Sequence, residues 1–261
     1  MSPATAEGGQ AAPLAGLAWT LVRTDFKTRY HGTAAGFLWA LLKPLAMFLI
    51  LLAVFSFVFA SDPHYKLNLI IGLFLWDFFA EGTKVGLVSL AAKSFLLTKA
   101  RVPVWLVVAT APSNAILTLA IFSGVIVGFV TAAGHAPGPA ALGLYLWYLV
   151  HYVLMVLGFS LAASVLFLRY RDLNQIWEVA IQAGFFVAPV VYPLGVIPER
   201  FHVYLYLWPP TVVIQFARAV LVEGAVPSAR AHLFLSLETA AILTVGLLIF
   251  RGQAPRAAEY V

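Results

Sequence analysis

Asp77, Glu81 and Lys84 sit in an otherwise apolar stretch, and their i, i+4, i+7 spacing puts all three on one face of a helix. Charge inside a membrane-length apolar segment is costly and points to function by default. Two carboxylates at that spacing can relay a proton. All three residues can line a polar path or close it at rest, while Glu81 and Lys84 can also pair at i, i+3 as a structural lock. Other chemistry has less footing. The chain has no cysteine, and its six histidines (31, 64, 135, 151, 202 and 232) lack metal-ligand spacing. It has no Gly-x-x-x-x-Gly-Lys-Ser/Thr loop, no His-Glu-x-x-His pair and no Gly-x-Ser-x-Gly elbow. The polar loops are too small for a nucleotide-binding domain, so any dependence on ATP requires a second polypeptide.

The elements that must position these charges are membrane spans. Of 261 residues, 62% are hydrophobic and 10% charged, against about 25% charged in an average soluble domain, and the mean hydropathy is +0.93. The sequence predicts an all-α integral membrane protein. Residues 1–13 read as a disordered tail, and 14–31 as an amphipathic helix lying in the membrane interface, with Trp19, Val22, Phe26 and Tyr30 on one stripe. A six-span domain over 32–250 follows, with spans at about 36–60, 67–91, 104–131, 142–168, 176–194 and 232–250. Between the last two, residues 200–223 break at Pro209-Pro210 into two apolar pieces too short to cross, which predicts a pair of re-entrant half-helices. Residues 251–261 are a tail.

Charge placement sets the orientation. Arg23, Lys27, Arg29, Lys93, Lys99, Arg101, Arg169, Arg171, Arg251 and Arg256 fall on one side, against Lys66, Arg200, Arg218 and Arg230 on the other. Basic loops stay in the cytoplasm, so both termini are expected there. The surplus of 16 basic over 11 acidic residues is then topological and gives no reason to expect nucleic acid. Gly82/Gly86 and Gly124/Gly128 form Gly-x-x-x-Gly pairs that permit close helix packing.

The segment Arg23-Thr-Asp-Phe-Lys-Thr-Arg-Tyr-His-Gly-Thr-Ala-Ala-Gly-Phe-Leu-Trp-Ala-Leu-Leu-Lys-Pro44 resembles the start of the permease subunits of type-2 ABC exporters, in the branch that exports O-antigen, capsular polysaccharide and teichoic acid. Leu97-Thr-Lys-Ala-Arg-Val-Pro103, Tyr170-Arg-Asp172, and Ala188-Pro-Val-Val-Tyr-Pro193 with Val196-Ile-Pro198 extend the resemblance in order over about residues 14–250. It implies a homodimer in the bacterial inner membrane, bound to two ATPase subunits that carry the ATP and Mg. This chain would bind no cofactor and have no catalytic or metal residues. The cargo would be a polyprenyl-diphosphate-linked polysaccharide moved through a channel between the two permeases.

Under that resemblance the ATPase docks on the loop carrying Lys93, Phe95, Leu96, Leu97, Lys99 and Arg101, an apolar plug ringed by cations, and on the Arg23–Tyr30 helix. Arg23, Lys27 and Arg29, with Tyr30, are placed to meet a lipid diphosphate. Channel candidates are Asp77, Glu81 and Lys84, able to contact sugar hydroxyls, and the rings of Trp76, Phe78, Phe79, Phe185, Phe186, Tyr192, Tyr204, Tyr206 and Trp208, whose flat faces suit a sliding glycan. Trp147, Tyr148 and Tyr152 read instead as an interfacial belt. Competing readings are a type-2 permease for a drug or small lipid, an ion-coupled carrier using Asp77 and Glu81, and a membrane transferase acting on polyprenyl lipids.

Overall fold

The computed structural model describes residues 14–32, 36–95 and 102–255, and the tail read at 1–13 lies outside them. The helices are α1 (Leu14–Tyr30), α2 (Leu38–Phe55), α3 (Tyr65–Ala92), α4 (Val104–Thr110), α5 (Ser113–Ala132), α6 (Pro139–Arg169), α7 (Leu173–Val187), α8 (His202–Tyr206), α9 (Pro209–Arg218) and α10 (Ala229–Gln253). Among the described residues there is no strand.

Each break has a local cause. Pro112 has no N–H to extend the ladder and separates α4 from α5. The fifth span was expected to reach residue 194, but α7 stops at Val187 because Ala188 precedes Pro189 and is held extended (ψ 134°). The Tyr192 hydroxyl donates to the Phe186 carbonyl at 2.8 Å, satisfying one acceptor that the shortened helix leaves open. Pro209 and Pro210 open α9 after an extended Trp208. Beyond Arg218 the helix widens into a π turn, Ala219–Glu223, and Gly224 ends it in the left-handed conformation (φ 63°).

Among the described residues, four helical stretches are long and apolar enough to cross a membrane: Leu38–Phe55, Val104–Ala132, Pro139–Arg169 and Ala229–Gln253. Glu199–Tyr206 and Pro209–Glu223 would make a fifth if taken as one span, but they are bent by 114°. The six crossings expected from sequence are therefore not all met by length and apolarity. The 28-residue α3 carries Asp77, Glu81 and Lys84 within membrane reach, and α7 has 15 residues.

Small residues set the packing. Gly82 and Gly86 of α3 face Val156 and Ser160 of α6, and a Cβ on Gly82 would lie 2.9 Å from the Val156 side chain. The Cβ of a larger residue at Gly86 would collide with Ser160, and at Gly246 of α10 with the Gly158 backbone of α6. With the Tyr148–His232 contact added, these pairs run α3, α6 and α10 in one direction. The stacked Phe74–Phe122 pair, with Gly82 near Ala115, sets α5 antiparallel to α3. Gly124 and Gly128 meet nothing within 4 Å, so only the first Gly-x-x-x-Gly pair is a packing seam.

Tyr148 and Tyr152, expected in an interfacial belt, are fully buried. The Tyr148 hydroxyl donates to His232 Nε2 at 2.9 Å, because the His232 Nδ1–H is committed to the Ser228 carbonyl. Tyr152 stacks on Phe79 and meets Phe78 edge-on. Periodicity cannot separate a belt from a core when a helix is apolar on every side.

Overpacking a helix seam costs about 1–3 kcal/mol. Gly86→Leu should lower the melting temperature of the detergent-purified protein by about 3–10 °C, whereas Gly128→Leu, which enters open space, should leave it within about 2 °C. Equal melting of the two variants would refute the seam.

Candidate functional site

The charged face of α3 is partnered from outside the helix. Glu81 forms an ion pair with Arg29 of α1, and Lys84 with Glu178 of α7 at 3.4 Å. The Glu81–Lys84 lock is therefore not the arrangement found. One end of α3 is tied to α1 a second time, where Lys93 reaches Asp25. Phe26 and Tyr30 of α1 and the following Phe37 meet at tilted and edge-on angles as a small aromatic cluster. Arg23 and Lys27 are exposed and make no ion pair among the described residues. Leu96, Leu97, Lys99 and Arg101 lie outside the described residues, while Phe95 is exposed.

Three cavities follow one another around α2. The first, about 530 Å³, lies between α1, α2, α3 and α5, with Arg29, Lys43, Asp77, Glu81 and Asn114 among its walls. The second, about 580 Å³, lies between α2, α3 and α7 and shares Lys43, Pro44 and Asp77 with the first. Its other walls include Trp76, Gln182, Phe185 and Phe186. The third, also about 580 Å³, shares Met47, Phe185 and Phe186 with the second and continues past Phe55 to Tyr192 and Ile197. The second and third form a groove between α2 and α7 that is charged near Lys43 and Asp77 and apolar and aromatic beyond Met47.

The groove gathers Trp76, Asp77, Phe185, Phe186 and Tyr192 from the sequence-derived candidates, and Phe78 and Glu81 line the first cavity. Phe79 and Trp208 do not line these cavities. They pack with Trp177 and Tyr152 in an aromatic cluster inside the bundle, and the Trp177 indole N–H donates to Thr83 at 3.0 Å. Gly184 leaves room for that cluster, since a Cβ there would come within 2.6 Å of Trp208. Tyr204 is exposed and Tyr206 half-buried, both outside the three cavities.

Sequence reasoning counted Arg218 among the cations of the outer side, but it is 4% exposed. Its guanidinium donates to the Asn68, Pro189 and Val190 carbonyls over 2.6–3.0 Å. It thus ties the end of α9 to the start of α3 and to the break after α7. A Cβ on Gly72 would lie 2.7 Å from its Nη2, so Gly72 provides the room. The helix break at Pro189 was the available signal, because carbonyls released there need a donor.

The family model described as ABC-2 type transporter matches residues 16–222. The chain belongs to the ABC-2 type transporter family. As an ABC-2 permease it is the membrane-embedded transport subunit, a multi-pass membrane protein without an ATPase site of its own. It is 28% identical over 260 residues to the O-antigen export system permease protein RfbA of Myxococcus xanthus, covering 94% of this chain and 95% of that protein. An RfbA permease of Klebsiella pneumoniae is 28% identical over 245 residues, 92% of each chain. The polysialic acid transport protein KpsM of Escherichia coli is 24% identical over 235 residues, 87% of this permease and 89% of KpsM.

Removing the Arg218 guanidinium strips several charge-assisted hydrogen bonds, each worth about 1.5–3 kcal/mol. Arg218→Met should lower the melting temperature of the purified permease by at least about 5–10 °C, with Arg218→Lys intermediate. Unchanged melting of Arg218→Met would mean that the three-way tie carries no stability.

Proposed function

We propose that this permease is the membrane-spanning subunit of an ATP-driven exporter that moves lipid-linked, O-antigen-like polysaccharide across the bacterial inner membrane. The observation that carries this reading is the similarity to O-antigen export permeases over more than nine-tenths of the chain. The groove supports it. A polar stretch followed by an aromatic and apolar one offers a sliding glycan many weak contacts and no deep trap, and its open side suits closure by a second copy.

In this reading the chain crosses six times, through α2, α3, α4 with α5, α6, α7 and α10. The common direction of α3, α6 and α10, opposite to α5, is consistent with that path. The bent pair around Trp208 is re-entrant, and both termini are cytoplasmic. Two copies meet along α2 and α7, whose exposed Leu49, Ile50, Val179 and Phe186 present apolar area, and enclose the channel between their grooves. Two ATPase subunits, holding ATP and Mg, dock on the 93–101 loop and α1. The Asp25–Lys93 pair joins those two docking elements. Arg23 and Lys27 remain for a lipid diphosphate, while Arg29 holds Glu81.

The complex purified with its ATPase should hydrolyse ATP faster when lipid-linked glycan is added. Charge reversal at Lys99 and Arg101 should release the ATPase while leaving the permease dimer intact by size-exclusion chromatography. Transport by the permease alone would overturn the assignment, and full coupled activity of the reversed variant would overturn the docking loop.

A further inference from the structure

The cavity on the α5 side of α2 holds three polar groups that bond to nothing among the described residues. Asn114 is 7% exposed and its carboxamide has no hydrogen bond. Asp77 and Lys43 form no ion pair within 4.0 Å and no hydrogen bond, although both line the cavity. Pro44, also in the wall, has no N–H to give the Ala40 carbonyl one turn earlier, and Ala40 lines the same space. The Trp39 ring adds an amphipathic face. Lys43 is exposed and Asp77 half-buried, so both are open to a molecule entering from the surface, with Asn114 deeper in the wall.

The wall chemistry narrows the occupant. Asp77 accepts hydrogen bonds, Lys43 donates them, and Asn114 does both. A phosphate would meet Lys43 but be repelled by Asp77 and Glu81. A cation would meet Asp77 but be repelled by Lys43 and Arg29. An acyl chain would leave all three polar groups unmet. A hydroxyl-bearing pyranose answers each of them, because every hydroxyl both donates and accepts, and its C–H face lies on an aromatic ring. At about 530 Å³ the space is within the range of small-ligand sites.

We propose that this cavity is a sugar-binding site, separate from the α2–α7 groove, that takes a unit of the exported glycan through Lys43, Asp77 and Asn114. The proposal rests on the polysaccharide reading above. The two spaces share Lys43, Pro44 and Asp77 as walls, so the site borders the groove at that edge of α2.

The test places p-benzoylphenylalanine at position 39 in cells carrying the complete transporter. Irradiation should yield permease carrying periodate-reactive glycan. Asn114→Leu should cut that product and surface glycan at least tenfold at equal membrane levels, and Asn114→Gln should retain both. If Asn114→Leu fails to accumulate, Lys43→Met should give the same loss. A strain lacking the gene separates the two readings. Surface glycan unchanged in that strain overturns the export reading. Glycan lost there, with Asn114→Leu exporting normally or the crosslink carrying phospholipid and no sugar, overturns the cavity site alone.

Discussion

The structure depends on how α3 keeps its charges in an apolar bundle. Asp77, Glu81 and Lys84 stand within about two turns of one another on this otherwise apolar helix. None is answered by the others. Glu81 is met by Arg29 and Lys84 by Glu178, so α1 and α7 are drawn onto the same face, while Asp77 is left between two cavities. The position of α1 follows from this pairing as much as from its own amphipathic stripe. Since Lys93 also reaches Asp25, two ion pairs, Arg29–Glu81 and Asp25–Lys93, hold α1 against α3.

Around that helix the bundle is built by closeness on one side and by gaps on the other. Gly82 and Gly86 bring α6 against α3, and Gly158 with Gly246 brings α10 against α6. This leaves a dense wall with fully buried tyrosines. On the opposite side α2, with Pro44 inside it, borders all three cavities. The break after α7 is fixed from a distance by Arg218, whose cation sits on the carbonyls of Pro189 and Val190. Placing a cation at released carbonyls is favoured for the same reason that Lys and Arg gather at helix C-termini.

Local rules made much of this legible in the sequence. The spacing of Asp77, Glu81 and Lys84 announced one polar face, and the Pro209-Pro210 pair announced the bend. What the sequence could not show were partners remote along the chain. Arg29 lies 52 positions from Glu81 and Glu178 lies 94 from Lys84, and an Arg218 bound for three distant carbonyls looks like any cation of the outer side. Apolar continuity also concealed the end of α7, since Val190 and Val191 prolong the hydrophobic run beyond Pro189. Tyr148 and Tyr152 were misplaced because a helix apolar all round gives no phase from which to tell its buried side. The cavity residues Lys43 and Asn114 stand on different helices with no shared motif, so only the fold brings them together.

Exchange of the Arg29–Glu81 pair tests the central claim most directly, namely that the polar face of α3 works because α1 answers it. Surface glycan would be measured in cells carrying Arg29→Glu, Glu81→Arg, or both. Each single reversal sets like charges against each other and should abolish export, and the double exchange should restore a substantial part of it. Normal export by the single variants, or a double variant no better than either, would contradict the account.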